Sequence, residues 1–283
     1  MHMNFLRVLA LVSIMIAGAG CMSSMKHDAK TDASGRKTLR VMTYNVHYSR
    51  GLDGEYDVER IADVIQSGDA DLIALQEVDK NTIRSGHVDM PRRLQEQTGM
   101  YHTFGKAIDF QGGEYGVMLM SKWPITDITV HELPYSVGSE RRIALSGLVD
   151  VPGMGEVRLV STHLQWQPEE DRYLQARELN RVFANSDVTP VILGGDFNSG
   201  YASVVMDEML KFWKVSSKID TGKTYPADEP NIQIDHLMTS GDIQFETKSI
   251  KVIDDRIASD HRPVVVELEL IGAQHEEDVD GGE

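Results

Sequence analysis

Between residues 39 and 271, one short β-rich run after another ends in a side chain able to bind a metal or a phosphate. Asn45 follows Val41-Met42-Thr43-Tyr44, Glu77 follows Leu72-Ile73-Ala74-Leu75-Gln76, and His163 follows Leu159-Val160-Ser161-Thr162. Asp196 and Asn198 close Val191-Ile192-Leu193-Gly194-Gly195, Asp235 follows Ile232-Gln233-Ile234, and Asp260-His261 stand just ahead of the last run. Polar and charged groups are costly to bury singly, and ligands of α/β proteins collect outside one end of the strands. Six such strand ends therefore predict one shared polar cleft.

The runs read as strands over 39–46, 71–78, 115–120, 143–151, 157–163, 190–196, 232–239 and 263–270, several of them almost continuously apolar, as in sheets covered on both faces. Helices are expected over 58–65, after Asp57 as N-cap, and over 168–184, with Pro168 in the first turn and Tyr173, Ala176, Leu179 and Phe183 on one face. No internal repeat at a fixed period is visible. Strands outnumber helices, and short polar turns join several pairs. The expected fold class is α/β (α+β), two packed mixed sheets with helices outside.

Oxygen-rich ligands with little sulfur suit a hard cation, Mg²⁺ first, with Mn²⁺ or Ca²⁺ as alternatives. Glu77 and Asp260 are the expected direct ligands, with Asn45 completing or orienting the shell. Hydrolysis of a phosphate ester needs a positioned water, a base, and donors for the developing charge. Either Asp196 or the His261–Asp235 pair can supply the base, and His163 and Asn198 can donate to phosphoryl oxygens. His236, on an apolar strand, reads as structural; Tyr115 and Trp166 read as core. Arg141 and Arg142 either reach substrate or make surface ion pairs. The segment from Arg50 to Gly54 reads as a loop flanking the cleft.

Charge and cysteine use narrow the function classes. With 44 Asp and Glu against 28 Lys and Arg, a net charge of −16, the chain does not coat nucleic acid by charge alone, although a metal site can still serve a nuclease. A single cysteine excludes an intramolecular disulfide and a thiolate cluster. That cysteine, Cys21, follows Arg7, an uncharged stretch over 8–20, and Ala17-Gly18-Ala19-Gly20. The stretch is shorter than the about 20 residues of a spanning helix but suits a signal peptide. The pattern resembles a bacterial lipoprotein signal, departing from it at Gly18, where Leu is usual. The expected organisation is a signal peptide with a lipidated cysteine over 1–21, a flexible tether over 22–38, one domain over 39–271 and an acidic disordered tail over 272–283. The expected product is a monomer, secreted across the inner membrane and lipid-anchored in a bacterial cell envelope.

The blocks Thr43-Tyr44-Asn45-Val46-His47, Leu75-Gln76-Glu77-Val78-Asp79, Ser161-Thr162-His163-Leu164-Gln165, Gly195-Asp196-Phe197-Asn198, Ile234-Asp235-His236 and Ser259-Asp260-His261-Arg262-Pro263 resemble the endonuclease/exonuclease/phosphatase superfamily, in its order. The resemblance implies a four-layer αββα sandwich and metal-dependent hydrolysis of a phosphate ester. It implies that Asn45 and Glu77 serve the metal with Asp260 beside it, that Asp196 and Asn198 act on water and phosphate, that His163 contacts phosphate, and that Asp235 orients His261. His163 in Ser-Thr-His-Leu looks more like the deoxyribonuclease, sphingomyelinase and inositol-phosphatase branches than the abasic-site repair branch. The block 113–125 resembles the family's central strand and turn but has Val117 where many members place Asn. The expected activity is a phosphodiesterase acting on a phospholipid head group or small phosphodiester; a secreted endonuclease acting on nucleic acid is the alternative, and a non-catalytic surface-anchored binding module is a further one.

Overall fold

The computed structural model describes residues 29–31, 37–184, 189–217, 222–240 and 244–271. The expected signal segment, Cys21 and the acidic tail lie outside them. Two mixed sheets pack face to face. In chain order the elements are β1 (Lys30–Thr31), β2 (Lys37–Asn45), α1 (Val58–Gly68), β3 (Leu72–Lys80), α2 (Met90–Thr98), β4 (Tyr101–Phe110), β5 (Gly113–Ser121), β6 (Ile125–Glu132), β7 (Ile143–Val151), β8 (Gly155–His163), α3 (Glu169–Phe183), β9 (Val191–Asp196), α4 (Val204–Met209), β10 (Lys214–Val215), β11 (Asp235–Ser240), β12 (Gln244–Val252) and β13 (Val264–Ile271). The first sheet runs β12-β13-β2-β3-β5-β4, with β1 added beside β2; the second runs β10-β11-β9-β8-β7-β6.

Alternation along the strands builds the layers. In β2 and β3, Val41 and Leu72 face the second sheet, where they meet Leu145, Leu159, Ile192 and Leu237. Their neighbours Met42, Tyr44, Ile73 and Leu75 point the other way, against Ile61 and Ile65 of α1 and Leu94 of α2. Val160, Leu193 and Met238 of the second sheet likewise pack on Ala176 and Leu179 of α3 and Met206 of α4. This is the four-layer αββα sandwich. At Gly194, on the face of β9 turned to the first sheet, a Cβ would lie 2.9 Å from the Cβ of Ala74. Just beneath the site the sheets are also stitched by hydrogen bonds: Gln76 Nε2 donates to Ser161 Oγ at 3.1 Å, and Ser161 Oγ donates to the Leu75 carbonyl at 2.9 Å.

Each sheet contains one parallel pair, β2–β3 and β8–β9; the other pairs are antiparallel. A parallel neighbour needs a crossover, and α1 and α3 supply the two. Asp57 caps α1, its side chain accepting from the Arg60 N–H, and Val58, Ile61, Ala62 and Ile65 form the buried stripe. The four parallel strands end at the same pole, bringing Asn45, His163 and Asp196, with Glu77 in β3, to one end of the sandwich. Residue Lys30 pairs with Thr38 at the start of β2, at the pole opposite Asn45.

Three expectations need correction. The strand expected over 232–239 begins only at Asp235, which pairs with Asp196 at the start of β11, antiparallel to β9. Asp235 therefore reaches the site from a strand leaving it. Strands β1, β4, β6, β10 and β12 and helices α2 and α4 lie outside the expected elements, and β1 falls within the segment expected as a flexible tether, where it pairs with β2. β6 and β12 are edge strands, and β6 is almost wholly exposed, so its sequence has no apolar run to betray it. Finally, Trp166 is not core: it is 67% exposed.

Candidate active site

The strand ends meet in a cleft of about 400 Å³ lined by Glu77, His163, Asp196, Asn198, Asp260 and His261, with Arg142, Trp166, Tyr225, Ile232 and Ile234 completing the walls. Asp196, 1% exposed, is its hub. Its Oδ1 accepts from the Asn198 backbone N–H at 2.8 Å, and its Oδ2 accepts from Asn45 Nδ2 at 3.0 Å. The same Asn45 amide nitrogen donates to Glu77 Oε1 at 3.2 Å, so one side chain ties the two carboxylates together. Asn45 Oδ1 accepts from the His47 N–H at 3.1 Å, and Ser259 Oγ donates to the Asn45 carbonyl at 2.7 Å.

Glu77 does not follow the regular pleat. The register of β3 on β5 shifts between Leu75 and Val78, and Glu77 has φ +58°. A non-glycine residue held there is strained, and such strain concentrates at functional sites. The bulge turns the carboxylate into the cleft. Burial, with Asp260 and Asp196 nearby and against the help of Asn45 and His261, raises Glu77 to about 7. Burial also raises Asp196 to about 6; His261 opposes that rise and Asp235 adds to it.

Two imidazoles flank Asp196. His261 Nδ1 lies 2.9 Å from Asp235 Oδ2, and its Nε2 lies 3.6 Å from Asp196 Oδ2. Burial opposes protonation of His261, yet Asp235 and Asp196 together overcome it and raise the imidazole to about 10. The two carboxylates therefore favour the protonated imidazole, which can place Nδ1–H on Asp235 and Nε2–H toward Asp196. His163 is the opposite case: burial, with Arg142 and His261 nearby, lowers it well below its ordinary value. Asn198 Nδ2 donates to the Leu164 carbonyl at 3.0 Å, which fixes the amide, and its other hydrogen meets the unprotonated His163 Nε2 at 3.0 Å.

All eight expected site residues thus gather at one pole. Asp196, Asp235 and His261 also bring potential ligand atoms within 4.8 Å of one another. There, however, the His261 imidazole already stands between the two carboxylates, 2.9 Å from Asp235 and 3.6 Å from Asp196. The cation demand lies on the other wall, where Glu77 is tied to Asn45 and stands near Asp260, and where burial and like charge hold Glu77 near 7. The carboxylate oxygens of Glu77 and Asp260 fit a hard divalent cation, with Asn45 orienting Glu77 through its amide nitrogen.

Arg142 both pairs with Glu140 at 3.1 Å and lines the cleft, where its Nε donates to Gln165 Oε1 at 3.0 Å; Arg141 pairs with Glu132 on the surface. His236 is the structural histidine expected, its Nε2 2.9 Å from the Ser199 carbonyl. Val117 faces the apolar layer between the sheets, so no polar contact is made there. Sequence reasoning missed Tyr225, whose ring lies 4.8 Å from that of His261, and Ile232. Both belong to the loop before β11, and nothing local in that loop marks them.

A buried carboxylate thus lies between two imidazoles, beside an acidic wall whose oxygens fit a cation. Residues 42–261 match the Endonuclease/Exonuclease/phosphatase family, and the chain belongs to that family. Its fold is shared with an endonuclease/exonuclease/phosphatase from Beutenbergia cavernae DSM 12333, 27% identical with a TM-score of 0.68, the match covering 84% of this chain and 73% of that one. It is shared also with a mannosyl-6-phosphatase of Bacteroides thetaiotaomicron VPI-5482, 21% identical with a TM-score of 0.66, covering 83% and 100%. In sequence the chain is 33% identical over 153 residues to protein cwh43 of Schizosaccharomyces pombe, a match covering 53% of this chain and only 15% of that much longer relative. Members of the family are phosphoesterase and nuclease hydrolases dependent on divalent metal.

Proposed function

We propose that the chain is a Mg²⁺-dependent phosphodiesterase in which Glu77, Asn45 and Asp260 hold the metal and Asp196 is the base. The observation that carries the assignment of the base is the placement of His261 between two carboxylates, its Nδ1 2.9 Å from Asp235 Oδ2 and its Nε2 3.6 Å from Asp196 Oδ2. An imidazole raised to about 10 has no free pair to offer a water, whereas a carboxylate near 6 is ionised at neutral pH and basic enough to accept a proton. This supports Asp196 over the His261–Asp235 pair.

A divalent cation in the acidic wall supplies charge for a phosphoryl oxygen and for the attacking water. The protein's own groups do the rest. Asp196, held by the Asn198 N–H and by Asn45 Nδ2, accepts a proton as the water oxygen bonds to phosphorus and the ester P–O bond breaks. The Nε2–H of His261, kept charged by Asp235, turns from Asp196 to a non-bridging oxygen, the Arg142 guanidinium adds a donor on the same side, and Asn198 holds Asp196 and His163 in place. The departing oxygen takes its proton from solvent at the open mouth.

Arg142 is the one Lys or Arg among the residues lining the cleft. A polynucleotide track needs a longer run of cations, so the lining favours a small phosphoester over nucleic acid. Trp166, Tyr225 and Ile232 offer apolar surface to the part of the substrate beyond the phosphate. Turnover of a generic phosphodiester, a phosphomonoester, plasmid DNA and sphingomyelin, each with Mg²⁺ and with EDTA, tests the reading. Absence of metal-dependent turnover on all four, with no metal binding by calorimetry, would refute it.

The uncharged stretch before the lone Cys21 supports a second part of the proposal: processing before Cys21, its lipidation, and a monomeric enzyme anchored in a cell envelope. The intact mass of the processed chain decides the anchor, and an unmodified Cys21 would refute it.

A further inference from the structure

Next to the metal-holding wall the backbone is strained. His47, Tyr48 and Ser49 are three consecutive non-glycine residues with φ of +43°, +42° and +63°. Such a turn persists only when its surroundings over-determine it. It reaches the site through the His47 N–H, which donates to Asn45 Oδ1 at 3.1 Å, while His47 Nδ1 bonds the Arg50 carbonyl at 2.9 Å and lies 3.7 Å from Asp260 Oδ1. The turn therefore sets the amide of Asn45, one of the groups assigned to the metal, and borders Asp260.

What holds the turn lies outside the cleft. The Arg84 guanidinium carbon stands 3.5 Å from the centroid of the Tyr48 ring, 4.6 Å from that of Phe110 and 5.4 Å from that of Tyr115. Its fork is clamped on Asp79, Nε to Oδ2 and Nη2 to Oδ1, both at 2.7 Å. Asp79 is fully buried, and Thr82 Oγ1 also donates to its Oδ2 at 2.6 Å. It stands on β3 two residues beyond Glu77, so the clamp and the third metal group share one strand. The loop bearing Arg84 is itself pinned, the Arg84 N–H donating to Gln111 Oε1 at 2.9 Å.

We propose that Arg84 is a positioning residue for the metal-holding wall: clamped on buried Asp79 and stacked on Tyr48, it holds the His47–Ser49 turn that sets Asn45 and borders Asp260. The role needs an arginine. Only a planar fork binds a carboxylate through two nitrogens while its face lies on an aromatic ring, and a lysine ammonium is a point charge without that face.

The inference rests on the metal reading, and the experiment separates the two. Mg²⁺ and Mn²⁺ binding to the full chain is measured by calorimetry for the wild type, Arg84→Lys, Tyr48→Leu, Tyr48→Phe and Glu77→Gln, with metal-saturation curves of activity. Arg84→Lys and Tyr48→Leu are expected to weaken binding by about tenfold or more, the scale of losing an outer partner of a metal ligand. Tyr48→Phe, which keeps the ring, binds as the wild type does, and saturating metal restores most of kcat in all three. Wild-type affinity in both Arg84→Lys and Tyr48→Leu, while Glu77→Gln loses the metal, would overturn the positioning role alone. Equal loss in Tyr48→Phe and Tyr48→Leu would overturn the stacking argument. A wild type that binds neither ion would overturn the metal reading and this inference with it. Should Arg84→Lys fail to fold, the two Tyr48 variants decide.

Discussion

Replacing Glu77 by Gln should stabilise the protein in the absence of metal. The carboxyl is carried from 4.5 to about 7 by burial among like charges. One pKa unit is about 1.4 kcal/mol, so the ionised form costs the folded state about 3 kcal/mol when the pH is above both values. The sign follows from proton binding. Between 4.5 and about 7 the folded protein holds a proton that the unfolded chain has released, so stability falls as pH rises through this window. Below it both states are protonated and the penalty vanishes. The amide is isosteric and its oxygen can still accept from Asn45 Nδ2, so most of the penalty is removed and little is lost. We expect a gain of about 1–2 kcal/mol in EDTA at about pH 8.5, or a melting temperature higher by about 2–8 °C, and almost none at about pH 5. With Mg²⁺ added the order reverses, because the wild type gains binding energy and the variant does not. Differential scanning calorimetry at the two pH values, with EDTA and with Mg²⁺, reads all four conditions. A variant no more stable than the wild type at about pH 8.5 in EDTA would refute the electrostatic argument. A variant stabilised by Mg²⁺ as much as the wild type would refute Glu77 as a ligand.

Other outcomes follow from the same geometry. Asp196→Asn should lower turnover by at least about 100-fold while the protein still melts cooperatively; a near-wild-type rate in steady-state assays would remove Asp196 as the base. Because Glu77 must give up its proton to bind a cation, calorimetric Mg²⁺ affinity should fall about tenfold per pH unit below about 7, and a flat profile between about pH 5 and 7 would count against that ligand. Gly194→Ala should destabilise by about 1–3 kcal/mol, because the added methyl forces the two sheets apart; chemical denaturation measures it, and no loss would mean that the sheets can yield there. Trp166→Ala should leave the melting temperature within about 2 °C, since an exposed side chain contributes little to stability, while raising KM; an unchanged KM for every substrate turned over would free Trp166 of a binding role.

Much of the site was legible because strand ends are local. Asn45, His163 and Asp196 each close an apolar run, and parallel strands linked by α1 and α3 must end at the same pole. Other features depend on contacts remote in sequence. Glu77 reads as one more strand-terminal residue, but it faces the cleft through a bulge whose partner is β5, more than thirty residues away. Asp235 was placed at the end of its strand instead of at its start, since nothing in Ile232-Gln233-Ile234 distinguishes an irregular approach from a strand. Tyr225 and Arg142 face the cleft because of how their loops fold back, and such loops carry no period. The edge strands β6 and β12 escape for another reason: with a face or an edge in water they need no apolar run, and β6 is exposed along nearly its whole length.

The two ends of β2 have different neighbours, and that gives the molecule a direction. The chain enters beside Lys37 and Thr38, where β1 is paired, while the cleft opens past Asn45 at the other end. Nine residues of strand separate these poles by about 30 Å. The seven residues from Met22 to Asp28 reach at most about 25 Å when fully extended. On the proposed anchor at Cys21, the start of β1 would stay within that reach of the attachment point, while the cleft would stand a full strand's length farther along β2.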